Sequence, residues 1–279
     1  MKALIFTVLG LYVLLASFII LFQRSFIFKN RSTPSVGPLP GVAEFVQISS
    51  EHNSKLEGWW IENTEAKITL LYCHGNAATL HDLKHVAALF KEYGLQTLLF
   101  DYRGFGASTP LNPTEESVAA DARAAYDWLI HQKQVGPNQI VLWGHSLGAA
   151  IAARLANERT VAGLITEGAF TSIFDMARYT YPWLFVHPSF IQDRFEVTAH
   201  LAARSMPLLM LHAENDLAIP LPMGKKAFEL AAGPKEWILL EKIGHNDFPS
   251  VEATYRQQIL KFMQQAVGQD QGPTTLSGH

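Results

Sequence analysis

The stretch IVLWGHSLGAAIAA, residues 140–153, decides the fold of this 279-residue chain. Large apolar residues come first, Gly-His-Ser-Leu-Gly follows, and the remainder is almost wholly alanine. The apolar run is typical of a buried strand, and the alanine-rich run favours a helix. The spacing Gly144-x-Ser146-x-Gly148 predicts a sharp strand-to-helix turn, because only small neighbours let the strand and the helix approach closely at the serine.

Such a turn would present the Ser146 hydroxyl at the carboxyl end of the sheet, above the N-terminus of the following helix. The helix dipole and the backbone N–H of Leu147 would favour a negative charge that develops on a substrate oxygen. A serine hydroxyl is a weak nucleophile unless a base activates it. The turn therefore indicates nucleophilic catalysis if a histidine and a carboxylate are supplied elsewhere in the chain.

Two later apolar runs end in residues that could complete this site. PLLMLHAEND ends at Asp216, and WILLEKIG is followed directly by His245. In the chain order serine, acid, histidine, His245 would accept the proton of Ser146. Asp216 would then hold the imidazole in the required tautomer and stabilise its protonated form.

Each of these assignments has an alternative. Glu167 follows a predicted strand of its own and Glu214 lies two residues before Asp216, so either could be the acid while Asp216 caps the next helix. His245 could be a loop histidine that forms only a local hydrogen bond. His145 is expected to point away from the serine and to be packed or hydrogen-bonded rather than catalytic.

A second donor for the substrate oxygen is expected after an earlier strand. ITLLYC is followed by His74-Gly75-Asn76-Ala77, and the glycine would let the chain turn so that the backbone N–H of Asn76 faces the site. In the alternative, this is a simple strand-to-helix turn in which the Asn76 side chain caps the next helix. The two roles are compatible, because the catalytic donor would be the backbone.

The rest of the chain alternates between apolar runs and amphipathic stretches. EFVQIS and LEGWWIEN are predicted to pair as an antiparallel edge, and the six continuous apolar runs that follow suit parallel strands buried on both faces. The prediction is a mostly parallel α/β sheet with helices on both faces. Residues 169–206 are rich in aromatic side chains and are expected to form a cap over the strand ends. The alternative is an ordinary helical connection whose aromatic residues belong to the core.

The N-terminus is of a different kind, because residues 3–22 contain no charge. As a helix they would span about 30 Å, the thickness of the hydrocarbon core of a bilayer. A cleaved signal peptide is the alternative, but the apolar run is long and no small-x-small site follows. The flanking basic residues favour a cytoplasmic catalytic domain by so small a margin that the orientation stays open. We expect a transmembrane anchor over 1–23, a juxtamembrane linker over 24–44, a catalytic domain over 45–268 and a flexible tail over 269–279.

Composition argues against several other classes of protein. Charged residues make up 17% and hydrophobic residues 48% of the chain, which argues against extensive disorder. The net charge of −3, without a block of lysine or arginine, argues against a nucleic-acid partner. The single cysteine, Cys73, excludes an internal disulfide and a CxxC metal site, and its apolar neighbours indicate a buried core residue.

The ordered set HGNA, DYRGFGAS, GHSLG, HAEND and GHND resembles the α/β-hydrolase superfamily over roughly residues 45–265. More narrowly, the chain resembles single-pass, membrane-anchored serine hydrolases, relatives of lysophospholipid lipases and protein depalmitoylases. The resemblance implies an α/β-hydrolase fold and no metal or organic cofactor. The catalytic residues that it implies are Ser146, Asp216 and His245, with Asn76 and Leu147 as oxyanion donors. In DYRGFGAS, Asp101 and Arg103 are expected to pair and brace the site.

The function expected from these observations is hydrolysis of a carboxylic ester or thioester through an acyl-enzyme. The anchor and the aromatic cap favour a lipid-like or acylated substrate over other small molecules. A serine peptidase of the same fold and a non-catalytic, membrane-anchored scaffold remain alternatives. A dehalogenase is disfavoured, since it needs a carboxylate where this chain has Ser146.

Overall fold

A sheet of eight strands forms the centre of the structure, a computed structural model that describes residues 1–29, 31–247 and 252–268. The spatial order is β1-β2-β4-β3-β5-β6-β7-β8. Strands β1, β2 and β4 pair antiparallel, and every other neighbouring pair is parallel. The prediction of a mostly parallel sheet with an antiparallel edge is thus confirmed. The strands are β1 (Glu44–Ser49), β2 (Lys55–Ile61), β3 (Thr69–Cys73), β4 (Gln96–Phe100), β5 (Ile140–His145), β6 (Gly163–Glu167), β7 (Leu208–Ala213) and β8 (Lys235–Leu240).

Helices cover both faces of this sheet, as the alternation of patterns predicts. One face packs against α4, α5, α7 and α8, and the other against α3 and α9. Every residue of β3, β6 and β7 is buried, which explains why these strands are continuous apolar runs rather than alternating ones. The helices are α1 (Lys2–Leu21), α2 (Gln23–Ile27), α3 (Lys84–Glu92), α4 (Glu115–Gln132), α5 (Leu147–Glu158), α6 (Ile173–Thr180), α7 (Val197–Ala203), α8 (Leu221–Leu230) and α9 (Glu252–Gly268).

Helix α3 is shorter than its sequence pattern predicts. The apolar spacing suggests a helix from about residue 79, yet α3 begins at Lys84. The backbone N–H and the hydroxyl of Thr79 both donate to the Asp82 carboxylate, at 3.0 and 2.9 Å. These local hydrogen bonds stabilise a non-helical turn where the first turn of the predicted helix would otherwise form. The predicted end of the helix is correct, since Gly94 has the positive φ of 70° that follows many helices.

The N-terminus of α5 packs against the backbone of β3 with no space between them. A Cβ atom on Gly148 would lie 1.9 Å from the carbonyl oxygen of Cys73, and one on Gly144 would lie 2.3 Å from the carbonyl oxygen of Gly148. Both glycines are therefore required by close approach of backbone to backbone. The predicted sharp turn between strand and helix is present at this point.

The expected pairing of Asp101 with Arg103 is wrong. Arg103 is buried and binds Asp121 of α4 instead, through its side chain at 2.6 Å and through its backbone N–H at 2.8 Å. Asp101 accepts the backbone N–H of Leu80 at 2.8 Å, and burial raises its pKa to about 8. The sequence pattern could not separate these partners, because Asp121 comes from a helix 18 residues further along the chain.

The segment between β6 and β7 has two parts. Helix α7 contributes Val197 and Leu201 to the core, as an ordinary crossover helix does. Helix α6 and the 3₁₀ turn Pro188–Phe190 lie at the surface. Several aromatic side chains of this surface part are exposed, namely Tyr179, Trp183, Phe185 and Phe190. They do not belong to the core, which is consistent with the predicted cap.

Helix α1 has no fully buried residue along its length, although four of its residues are half-buried. It is long and apolar enough to cross a membrane, with a mean hydropathy of 2.7. The residues that follow it do not behave as a free tether, since Thr33 donates to the Gly106 carbonyl at 3.0 Å and Gly106 donates to the Arg31 carbonyl at 2.9 Å. The boundaries proposed for the anchor, linker and catalytic domain stay predictions, and the tail at 269–279 lies outside the described residues.

Replacement of Gly148 by alanine should destabilise the fold severely. The new Cβ would meet backbone atoms of Cys73 and His74, which cannot move without displacing β3. We expect a loss of about 3 kcal/mol or more, and a melting temperature lower by about 10 °C. The matched control is Gly10→Ala in α1, where nothing lies within 4 Å of the added atom. Equal melting temperatures for the two variants would contradict the packing described above.

Candidate active site

Ser146 occupies the turn between β5 and α5 in a strained conformation. Its φ of 54° and ψ of −117° are rare for a residue with a side chain. Its N–H donates to the Glu167 carbonyl of the neighbouring strand at 2.8 Å, and its own carbonyl accepts the N–H of Ala149 at 2.9 Å. Gly75 fits against it so closely that a Cβ there would lie 3.3 Å from the Ser146 Cβ. The serine is thus held in place from β6, from α5 and from the loop after β3.

Asp216 and His245 form the second element of the site. His245 Nδ1 donates to Asp216 Oδ2 at 2.6 Å, and the other carboxylate oxygen accepts the N–H groups of Ala218 and Ile219 at 2.9 and 2.7 Å. Burial by itself raises the pKa of Asp216, but the bonds from His245 and Ile219 outweigh it and hold this pKa below its usual value. The side chain of Asp216 is fully buried. The aspartate is therefore an oriented, ionised acceptor for the imidazole.

His145 supports the loop that carries His245. Its Nε2 donates to the His245 carbonyl at 3.0 Å, and the two rings lie 5.0 Å apart. Burial, followed by the neighbouring His245, lowers the pKa of His145 to about 4, so the ring is neutral near pH 7. As expected from the sequence, His145 is hydrogen-bonded within the structure.

The alternative acids, Glu167 and Glu214, and the nearby Asp247 do not share the environment of Asp216. Burial raises the pKa of Glu167 to about 8, and the adjacent Trp143 only partly opposes that rise. Glu214 accepts the backbone N–H of Lys242 at 3.0 Å at the surface. Asp247 accepts the N–H of Gly244 at 2.9 Å and so stabilises the turn that bears His245. Asp216 is the carboxylate that His245 Nδ1 contacts at 2.6 Å, so the geometry favours it over these three as the partner of His245.

The two predicted oxyanion donors line one cavity. Leu147 begins α5, and Asn76 lies in the loop after β3; both line the same cavity as Ser146 and His245. The alternative role for Asn76, capping the next helix, is wrong, since Leu83 is the N-cap of α3. The Asn76 side chain donates instead to the Ile27 carbonyl at 3.1 Å.

The cavity has a volume of about 540 Å³ and is mostly apolar away from the serine and histidine. One side comes from α6 and the chain after it, through side chains such as Met176, Leu184 and Phe190. The other side comes from the N-terminal segment, which sequence reasoning treated only as an anchor and a linker. These residues are Ile19, Ile20, Gln23, Phe26 and Ile27. An apolar run that fits a membrane span gives no sequence signal for such a role.

Among the described residues, no group of three or more histidine, cysteine, aspartate and glutamate side chains is placed to hold a metal ion. The single cysteine, Cys73, is buried in β3, as its neighbours predict. Its pKa is raised to about 12 by burial, so it is a neutral thiol of the core.

Comparison with known proteins agrees with this architecture. The sequence model of the alpha/beta hydrolase fold matches residues 68–199. The uncharacterized protein Rv2307c of Mycobacterium tuberculosis is 33% identical over 252 residues, which cover 86% of this chain and 88% of that protein. The esterase PF2001 of Pyrococcus furiosus superposes with a TM-score of 0.70 at 18% identity, over 86% of this chain and 98% of the esterase. The chain belongs to the α/β-hydrolase family.

A further relative carries a more specific name. The lysophosphatidylserine lipase ABHD12 of Danio rerio is 35% identical over 186 residues. This match covers 60% of the chain and 48% of the lipase, so it spans about half of that protein's length. Over this part of its length the chain is similar to an α/β-hydrolase of the ABHD type, and membership of the α/β-hydrolase family supports hydrolase activity.

The identity of the acid can be tested by three matched amide substitutions. Asp216→Asn should lower kcat for a p-nitrophenyl ester by about 10⁴-fold, because the amide cannot stabilise the imidazolium. Glu167→Gln and Glu214→Gln are the controls and should retain activity, since neither carboxylate contacts His245. Loss of activity in Glu167→Gln with retention in Asp216→Asn would assign the role to Glu167 instead.

Proposed function

We propose that the chain is a membrane-anchored serine hydrolase that cleaves carboxylic ester or thioester bonds of lipid-like or acylated substrates. The observation that carries this proposal is the Asp216–His245 pair at 2.6 Å, on the cavity that also exposes the strained Ser146. A serine, a histidine and an oriented carboxylate around one apolar cavity are the parts that acyl transfer to water requires.

In the first step of the proposed mechanism, His245 removes the proton of Ser146 as the serine oxygen attacks the acyl carbonyl. The carbonyl electrons move to its oxygen, and the backbone N–H groups of Asn76 and Leu147 bind the resulting oxyanion. Asp216 stabilises the imidazolium that forms. The tetrahedral adduct then collapses, and the leaving alcohol or thiol takes the proton from His245 as its bond to the acyl carbon breaks.

In the second step, His245 takes a proton from water as the water oxygen attacks the acyl-enzyme. The same two N–H groups bind the second oxyanion, and collapse of the adduct breaks the bond to the Ser146 oxygen. The proton returns from His245 to the serine, and the carboxylic acid leaves. In each half-reaction His245 passes on the proton that it accepted, first to the leaving group and then to Ser146, so the enzyme ends unchanged.

Two features of the site support a serine in the role of nucleophile. The strained backbone of Ser146 persists because β6 and α5 both bond to it, as is common at functional turns. The N-terminus of the 12-residue helix α5 lies directly behind the serine and favours negative charge there. The turn exposes the serine hydroxyl at the cavity, and the helix N-terminus lowers the energy of an oxyanion formed beside it.

The lipid-like substrate is supported by the cavity and by one relative. The volume of about 540 Å³ lies within the usual range for ligand pockets, and most of the lining side chains are apolar. The relative ABHD12 of Danio rerio is a lysophosphatidylserine lipase by name. An acyl chain would bury apolar surface along this wall while its carbonyl rests at Ser146.

Membrane anchoring is supported by α1 itself. The helix has 20 residues, enough to cross a bilayer, and its apolar side chains are exposed on the protein. Helices hydrophobic all round are stable only inside a protein core or a bilayer. The side of the membrane that holds the catalytic domain is left open by this proposal.

The proposed chemistry predicts that Ser146 alone reacts with a fluorophosphonate probe. Wild-type protein should be labelled, and Ser146→Ala should not. Across p-nitrophenyl esters from acetate to palmitate, wild type should prefer medium or long chains, and the substitution should lower kcat by about 10⁶-fold.

The other outcomes of these assays distinguish the rival functions. A protein that neither reacts with the probe nor cleaves any ester would be a scaffold. Cleavage of aminopeptidase substrates in preference to esters would indicate a peptidase. A preference for acetate would contradict the lipid-like substrate while leaving the serine chemistry intact.

A further inference from the structure

One face of α1 packs on the catalytic domain, although the helix is otherwise exposed. The half-buried residues of α1 are Tyr12, Ala16, Ile19 and Ile20, and every other residue of the helix is exposed. Their spacing of four, three and one residues puts them on a single helical stripe. The stripe continues to the buried Gln23 of α2. Of this stripe, Tyr12 to Gln23, the residues Ile19, Ile20 and Gln23 line the cavity.

Gln23 fastens the end of the stripe to the cap segment. Its side-chain amide donates to the carbonyl of Phe190 at 3.0 Å and to that of Ile20 at 2.7 Å. Its side-chain oxygen accepts the N–H of Gln192 at 2.8 Å. A buried amide whose donor and acceptor are both satisfied has a defined position and is costly to displace.

A second contact between the N-terminal segment and the cap lies beside the hydrogen bonds of Gln23. Arg24 donates to the carboxylate of Asp193 at 2.7 Å, and the other oxygen of that carboxylate accepts the N–H of Glu115 at 2.8 Å. Asp193 is buried, whereas Arg24 is half exposed, so the ion pair itself contributes little. Its effect is to join α2, the cap segment and the first turn of α4 at one point.

The cap also meets the stripe much further along α1. The Phe185 N–H donates to the Tyr12 hydroxyl at 2.8 Å. Tyr12 and Gln23 are eleven residues apart, which is about 16 Å along a helix. The cap and α1 therefore lie side by side over that length. Met176, Leu184 and Phe190 face the cavity from the cap, and Ile19 and Ile20 face it from α1.

The arrangement has a consequence for the acyl chain of the substrate. With the carbonyl at Ser146, the apolar space open to the chain lies between the cap and the stripe. The chain would then extend along α1, the helix that enters the membrane. A substrate with a single acyl chain fits such a space, because its chain can remain aligned with the lipid around the anchor.

We propose that the end of α1 is a wall of the acyl-binding site, and that Ile19 and Ile20 determine the length of the acyl chain that the site accepts. This inference rests on the proposed serine hydrolase function. The substrate class it names is a monoacyl ester or thioester whose chain is taken up between the anchor and the cap. The anchor is then part of the active site as well as a tether.

The test is a pair of bulky substitutions in the full chain, purified in detergent. Ile20→Trp should occupy part of the cavity and lower the ratio of kcat/KM for p-nitrophenyl palmitate to kcat/KM for the butyrate ester by about tenfold. The matched control is Leu21→Trp, because Leu21 is 74% exposed and does not line the cavity. This control should leave both esters as in wild type.

A second pair guards against misfolding of a single variant. Ile19→Trp should lower the ratio of palmitate to butyrate activity in the same way, and Phe18→Trp, at an exposed position outside the cavity, should not. If the ratio is unchanged in both cavity variants, or falls equally in the controls, the inference is wrong. Ser146→Ala tests the underlying function separately: activity that survives it contradicts the serine mechanism, whatever the ratios.

Discussion

The contact between the first turn of α5 and the backbone of β3 is the constraint on which the rest of the site depends. Gly148 has no room for a Cβ against Cys73, and Gly75 has little room against Ser146. Because strand and helix approach so closely, the chain between them must turn within one residue, and Ser146 takes the strained conformation. The serine is thereby presented at the end of the sheet, on the cavity that Leu147 of α5 and Asn76 of the loop after β3 also line.

The parallel sheet brings the remaining functional groups to the same edge. Strands β5, β7 and β8 run in one direction, so the segments after them meet where Ser146 emerges. Burial would suppress the charge of Asp216, but His245 and two backbone N–H groups keep it ionised. Burial raises the pKa of Glu167 to about 8, and the hydrogen bond from Trp143 only partly opposes that rise. Local solvation and hydrogen bonding, rather than position in the chain, distinguish the two carboxyl groups.

The N-terminal segment packs beside the candidate active site in this arrangement. Residues 23–27 contact the cap through Gln23 and the oxyanion loop through Asn76, and both contacts are hydrogen bonds to backbone atoms. Each bond joins one side-chain amide to a backbone carbonyl of a distant segment, and such a pair leaves no local sequence motif.

The sequence alone determined the sheet, its antiparallel edge and the order of the groups expected in the site. Apolar runs with turn residues at their ends are local signals. The glycines around Ser146 are local signals too, because the backbones approach too closely there for a Cβ atom. Only the tertiary structure decided three features: the partner of Arg103, the separation of the cap into surface and core parts, and the position of Ile19 and Ile20 on the cavity. Each depends on segments that are distant in the chain. An apolar helix has the same sequence pattern whether lipid or a substrate cavity lies beside it.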